Sequence, residues 1–237
     1  LQEIEDQTAF NQVVDGLPGY GGFYAAYEYS GMAYLYKTEV LTVTNTYKIL
    51  TGYSRELPRA PFVAEITLNG EEYVVINNHY KCCGDGSMDP NDDWDEETRR
   101  LDASVLLKNY IDTYLSDKKV IVLGDLNDEL TDNTEDNVFA PFLNDNENFM
   151  FADMHIAQAP AADWSYPSWP SHLDHILITN ELVAELTHED YGASIIKPDA
   201  VISGGWSTYD NNVSDHRPVA IKLPMPKAPN GLGSYTK

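Results

Sequence analysis

The chain predicts an α/β sandwich, two β-sheets packed together with helices outside. Three observations carry that expectation. Strand-like segments outnumber helical ones along the 237 residues. Two of them, Val74-Val75-Ile76 and Val120-Ile121-Val122-Leu123, are continuous apolar runs that suit strands covered on both faces. Others alternate apolar and polar residues, as a strand with one wetter face does, and two sheets with helices outside accommodate both patterns.

Taken in order, a first helix is expected over 7–14. Strands rich in β-branched and aromatic residues follow at 32–37, 41–50, 62–68 and 72–78. Asn69-Gly70, between the last two, is a two-residue hairpin signal. The strongest helix covers 96–115, where Leu107, Tyr110, Ile111 and Tyr114 stand at i, i+3, i+4 and i+7 and share one face. After it come a strand at 119–124, a short helix including 141–143, and strands at 149–153, 173–179, 194–201 and 217–223. Residues 224–237, rich in proline and glycine, lack periodicity and read as an exposed linker, which leaves 1–223 as one domain.

Composition narrows the function. With 15 Lys plus Arg against 38 Asp plus Glu, the net charge is −23. Such a surface repels polyanions and argues against tight, nonspecific duplex binding, while leaving room for a locally basic cleft or for divalent cations that neutralise both partners. No apolar run is long enough to span a bilayer, and no amino-terminal signal pattern is visible, so a soluble monomer is expected, one domain of a larger chain. The acidic, Tyr- and Asn-rich composition fits an exported bacterial domain, secreted or periplasmic. Cys82 and Cys83, the only cysteines, are adjacent and build no disulfide framework; two reduced thiols are the plainer reading and a strained adjacent-residue disulfide the sharper one.

Chemistry concentrates at strand ends. Asn77-Asn78-His79 follows one strand, Gly124-Asp125-Leu126-Asn127-Asp128 follows another, and Asp174-His175 and Ser214-Asp215-His216-Arg217-Pro218 precede two more. Asp, Asn and His gathered at four strand ends point to a hydrolytic metal site, since hard oxygen ligands suit Mg²⁺ or Mn²⁺. His172 and His175 flank Asp174 and are secondary candidates to touch substrate; His155 and His188 read as surface or satisfied core groups. Trp94, Trp164, Trp169 and Trp206 fall in expected loops, where covering the sandwich edge is preferred over stacking a base or sugar. Acid-rich loops at 85–97 and 128–137 have the oxygen density of a structural Ca²⁺ site but lack the helix-loop-helix calcium pattern, so solvated surface is the preferred reading.

Taken together, Leu1-Gln2-Glu3, Asn77-x-His79, Gly124-Asp125-x-Asn127, Leu173-Asp174-His175 and Ser214-Asp215-His216-Arg217-Pro218, in that order, make the chain resemble the endonuclease/exonuclease/phosphatase superfamily, whose members include deoxyribonuclease I. The resemblance implies a four-layer α/β sandwich of two mainly antiparallel sheets flanked by helices, and metal-dependent hydrolysis of phosphoesters, most simply phosphodiesters and so a nuclease. A phosphomonoesterase, a phospholipid or inositol-phosphate hydrolase, or a non-catalytic binding module on the same frame are the alternatives. It implies Glu3 and Asp215 at the metal, Asp125 as the carboxylate that orients or deprotonates water, and Asn127 beside it. His79, Asn77 and Arg59 would contact phosphate, and Asp174 would orient His216. Two departures are visible. The family's first strand, bearing an asparagine, has no counterpart before Leu1, and Ala60 stands where deoxyribonuclease I-like members carry a glutamate paired to the first histidine.

Overall fold

Six strands form the principal sheet in the computed structural model, which describes residues 1–187 and 192–224. His188 and the tail beyond Pro224 lie outside the described residues. In chain order the elements are α1 (Gln7–Asp15), β1 (Tyr20–Ala25), β2 (Met32–Lys37), β3 (Thr42–Lys48), β4 (Phe62–Leu68), β5 (Glu71–His79), α2 (Glu96–Tyr114) and β6 (Val120–Asp125). There follow α3 (Ala140–Leu143), β7 (Phe149–Phe151), α4 (Met154–Ala157), β8 (Asp174–Thr179), α5 (Asn180–Val183), β9 (Gly192–Ile195), α6 (Gly205–Asn212) and β10 (Val219–Lys222). The principal sheet runs β3-β4-β5-β6-β8-β7 and is antiparallel except between β5 and β6. That one parallel pair requires a crossover, and α2 supplies it.

Strand parity decides what each face meets. Val74, Ile76, Val120, Val122 and Leu177 point toward α2, where they pack with Ala103, Leu107, Ile111, Phe139 and Phe142. Their neighbours Tyr73, Ile121, Leu123, Ile176 and Ile178 point the other way, against Ala193, Ile195, Val219 and Ile221 of β9 and β10. The hairpin β1-β2 covers the same side further along, packing Ala25 and Met32 against Phe62 of β4. The apolar runs are therefore buried on both faces, as their lack of alternation required.

The hairpin turn between β4 and β5 has positive φ at both Asn69 (51°) and Gly70 (86°), the backbone that a tight two-residue connection demands. Helix α2 starts where Asp95 accepts a hydrogen bond from the Thr98 N–H (2.8 Å), with Glu96 and Glu97 in its first turn.

The expected α/β class holds, and beside the six-stranded sheet the described residues form two smaller antiparallel pairs, the hairpin β1-β2 and the pair β9-β10. Several expectations are corrected. Strand β1 has no counterpart among the predicted strands, because Gly21 and Gly22 dilute its pattern. Gly22 lets α1 pack closely there, since a Cβ would lie 2.7 Å from the Phe10 and Val14 side chains and would make them shift. The strand expected over 194–201 ends at Ile195, and Pro198 opens a single 3₁₀ turn, Pro198–Ala200. Residues 205–212 are helical, which places Trp206 on α6 and not in a loop. Tyr114 is 67% exposed, so the buried face of α2 is narrower than its periodicity suggested. No helix among the described residues is long and apolar enough to cross a membrane.

Candidate active site

Sheet register brings three of the polar clusters together. Parallel pairing sets His79 beside Asp125, and antiparallel pairing sets Asp125 beside Asp174. All three share the parity of Leu123 and Ile176, so they emerge on the face covered by β9 and β10, at the ends of adjacent strands. Gly124 allows this close approach. It has φ of 141°, and a Cβ there would fall 1.9 Å from the Asn78 carbonyl oxygen.

The segment before β10 adds His216, whose Nδ1 lies 2.7 Å from Asp174 Oδ2. Burial would lower the imidazole's pKa, but the hydrogen bond and charge of Asp174 outweigh it and hold His216 up at about 9. Asp174 is held below the usual carboxylate range: burial opposes this, and His216 overcomes it. Asp125 behaves in the opposite way. Burial and then the charge of Asp174 push it up to about 7, against the Asn127 N–H donated to its Oδ1 at 3.0 Å. His79, 2% exposed, is pushed down to about 3 by burial and by the charges of Arg59 and His216, so its ring is neutral. His79 Nε2 lies 3.6 Å from Asp125 Oδ2 and 3.7 Å from Glu3 Oε1, while its Nδ1 has no hydrogen-bond partner.

Glu3 stands in a left-handed backbone conformation (φ 55°) between two paired points: Leu1 bonds with Ala33, and Ile4 with Gly31. Glu3, Asp174, Asp215 and His216 border one cavity of about 600 Å³ between residues 1–4 and the approach to β10. His79 and Asp125 join the group through the two approaches just given.

Two assignments need correction. Asn77 is fully buried, and its side chain is occupied. Oδ1 accepts from Gln2 Nε2 (2.6 Å), while Nδ2 donates to the Leu1 and Ala33 carbonyls (3.0 and 3.3 Å). It stitches the chain start to the sheet and has nothing to offer a phosphate. His172 and His175, 1% exposed each, are also withdrawn from substrate. His175 has the parity of Leu177 and turns toward the α2 side, edge-on to Phe139 and Phe151.

Both histidines bond Asp153 Oδ2, at 2.9 Å from His172 Nε2 and 2.7 Å from His175 Nδ1. His175 Nε2 meets the Asp128 carbonyl at 2.8 Å. Among the described residues, these three side chains form the cluster whose ligand atoms lie within 4.8 Å of one another, close enough for a metal. Their hydrogen bonds already satisfy Asp153 and both nitrogens of His175. The acid-rich loops at 85–97 and 128–137 bond each other: Asp136 Oδ1 accepts the Met88 N–H (3.0 Å).

Three residues were missed. Buried Arg100 donates Nε to Asp128 (2.7 Å) and Nη1 to the Lys81 and Cys83 carbonyls (2.9 and 2.6 Å), tying the loops after β5 and β6 together. Nothing in the helical pattern marks it as turned inward. Asp153, at the end of the strand that the sequence predicts over 149–153, lies beyond β7 and just before α4. The Tyr166 ring lies 4.8 Å from that of His216, and only its place eight residues before Asp174 hinted at this. Trp164 covers core as expected, with Nε1 donating to the Ile156 carbonyl.

The endonuclease/exonuclease/phosphatase family model matches residues 1–216. The chain belongs to the endonuclease/exonuclease/phosphatase family. The members of this family are phosphoester hydrolases that generally depend on a divalent metal. Solved structures share the family fold at low identity. The 3′ phosphatase NExo of Neisseria, bound to a product DNA hairpin, is 16% identical with a TM-score of 0.62, over 94% of this chain and 87% of that one. The human Nocturnin catalytic domain with bound sulfate is 17% identical (TM-score 0.59, 94% and 79% covered). A Bacteroides thetaiotaomicron mannosyl-6-phosphatase is 13% identical (TM-score 0.57, 94% and 83% covered). No curated protein matches the chain.

The residues present fit a divalent cation. Asp125 stands beside Asp174 on the sheet and near Glu3 across His79; burial first and then the charge of Asp174 raise it, and a bound cation would relieve that second contribution. The donors are hard oxygens, which select Mg²⁺ or Mn²⁺ over softer ions.

Proposed function

We propose that the chain is a divalent-metal-dependent phosphodiesterase, a nuclease in its simplest form. The observation that carries this reading is the convergence of Glu3, His79, Asp125, Asp174 and His216 at one end of the sheet. Glu3 and Asp215 would hold Mg²⁺ or Mn²⁺, which neutralises charge at the phosphate.

Asp125, whose Oδ2 lies 3.6 Å from His79 Nε2, is placed to accept a proton from the attacking water, and a bound cation would favour the ionised form that this role needs. Its orientation is held by the Asn127 N–H, and Asn127 Nδ2 keeps a second hydrogen besides the one given to the Tyr80 carbonyl (3.3 Å). His216 carries charge at neutral pH, and with Nδ1 engaged by Asp174 its Nε2–H serves the phosphoryl oxygens. Neutral His79 contributes a hydrogen bond without charge, and Arg59 adds a fixed positive charge beside it.

A second reading, a phosphomonoesterase for small substrates, is favoured by the net charge of −23, which opposes the approach of a long polyanion. The test supplies the full chain with Mg²⁺ or Mn²⁺ and compares DNA, RNA, bis(p-nitrophenyl) phosphate, p-nitrophenyl phosphate, inositol phosphates and sphingomyelin. Diester cleavage that EDTA stops, and that Asp125→Ala with His216→Ala abolishes, is the expected result. Turnover of monoesters alone moves the assignment to the second reading. Activity unchanged in the double variant removes both, and no turnover of any substrate leaves a binding module.

A further inference from the structure

Two adjacent cysteines on an extended strand would point to opposite sides. In this chain they do not. Cys83 adopts φ of 73° and Gly84 φ of 109°, a left-handed turn that brings both side chains to one side. The Cys83 thiol donates to Cys82 Sγ at 2.8 Å. The turn is clamped from below: buried Arg100 Nη1 holds the Lys81 and Cys83 carbonyls, and Glu97 Oε1 anchors Arg100 Nη2 at 3.0 Å. From above, Lys81 Nζ donates to the Cys82 carbonyl (2.6 Å). Cys83 is exposed and Cys82 half-buried, so a small reagent reaches the pair, and the chain holds no third cysteine to compete. The turn follows His79 by three residues, and Arg100 ties it to Asp128 on the loop that carries Asp125 and Asn127.

We propose that Cys82 and Cys83 are a redox-active dithiol that closes to an adjacent-residue disulfide by exchange with a small disulfide such as glutathione disulfide. One cysteine thiolate attacks a sulfur of the reagent and expels the first glutathione. The neighbouring thiolate then attacks the cysteine sulfur of that mixed disulfide and expels the second. The pair loses two electrons and two protons, and glutathione disulfide gains them as two glutathione molecules. The held turn presents the second sulfur before the first reacts, which favours closure over a lasting adduct. Closure is reversible. Adjacent Cα atoms stand about 3.8 Å apart, short of the roughly 4.4–6.8 Å that relaxed disulfides span, and strained disulfides are the readily reduced ones.

The test equilibrates the full chain with glutathione and glutathione disulfide, quenches with acid, and reads intact mass and thiol titre. Both thiols should disappear together, with a mass lower by two hydrogens and no retained glutathione. The change should run from below one-tenth to above nine-tenths over about a hundredfold change in the ratio of glutathione disulfide to the square of glutathione. Excess glutathione should restore both thiols. Cys83→Ser, checked for folding by circular dichroism, should stop at a single glutathione adduct on Cys82. A stable adduct on the native chain, a disulfide-linked dimer, or two unreacted thiols at the oxidising limit would overturn the proposal. Thiol chemistry is read without any substrate, so this outcome is separate from the fate of the hydrolase reading.

Discussion

Asp174 governs the charge state of His216, and this pair sets the alkaline side of any reaction the site performs. Replacing Asp174 by Asn removes the charge and weakens the hydrogen bond that hold His216 at about 9. The alkaline limb of kcat/KM should then move down toward the free imidazole value, about 6.5, and kcat/KM should fall by about 10²–10⁴ at pH 8. Rate measurements across pH 5–10 on bis(p-nitrophenyl) phosphate check both. The buried Asp153–His175 pair gives a pH dependence of stability. His175 is raised (burial opposes, and Asp153 prevails), so its contribution is complete below about 6.5 and is lost as pH climbs through the folded value. Asp153 is lowered, burial again opposing and His175 leading, so its share is present above about 3.9 and is lost as pH falls through its folded value. Thermal unfolding should show His175→Gln flattening the alkaline decline in Tm. Asp153→Asn should cost about 3–5 kcal/mol in urea titrations, the usual cost of breaking a buried pair.

The ends of β5, β6 and β8 can meet only because the backbones of β5 and β6 approach closely at Gly124. An alanine there would force its Cβ into the Asn78 carbonyl and would carry an unfavourable φ of 141°. Gly124→Ala is expected to destabilise by about 3 kcal/mol or more, combining backbone strain with overpacking. Activity should fall further than stability requires, because Asp125 is the next residue. Comparing unfolding free energy with kcat/KM at a temperature where the variant stays folded separates the two effects. By contrast, Arg100 works at a distance from the cavity. Its bonds to Asp128, Lys81 and Cys83 fix two loops against one helix, which is how α2 contributes to the site without touching it.

The whole molecule carries −23 charges, and that sum changes how substrates approach. A polyanion meets long-range repulsion that salt relieves, since the screening length shrinks from about 30 Å at 0.01 M to about 8 Å at 0.15 M. Cleavage of DNA at subsaturating concentration should therefore accelerate as monovalent salt rises across that range. The phosphate-neutralising binders behave in the opposite sense. A small diester should respond far less. A fall in DNA cleavage with salt would reveal a basic track that the overall charge conceals.

Much of this architecture was readable from residue order. The 4–5 hairpin, helix α2 and the strands around 62–78 and 120–125 follow from local periodicity and turn chemistry, which neighbouring residues settle among themselves. The four polar clusters stood out for a similar reason, each being a short word at a strand end. What escaped depended on contacts between distant segments. Asn77 and His79 look alike in sequence and share one strand face. Asn77 alone meets Gln2, Leu1 and Ala33, and so became a stitch. His175 sits one residue from Asp174, yet strand parity turns it to the opposite face and into Asp153. The inward turn of Arg100 and the separate pairs β1-β2 and β9-β10 likewise rest on pairing that no local pattern encodes. Side-chain identity names the available chemistry. Register and parity across the sheet select which of those side chains share a cavity, because one residue of offset sends a side chain to the other face.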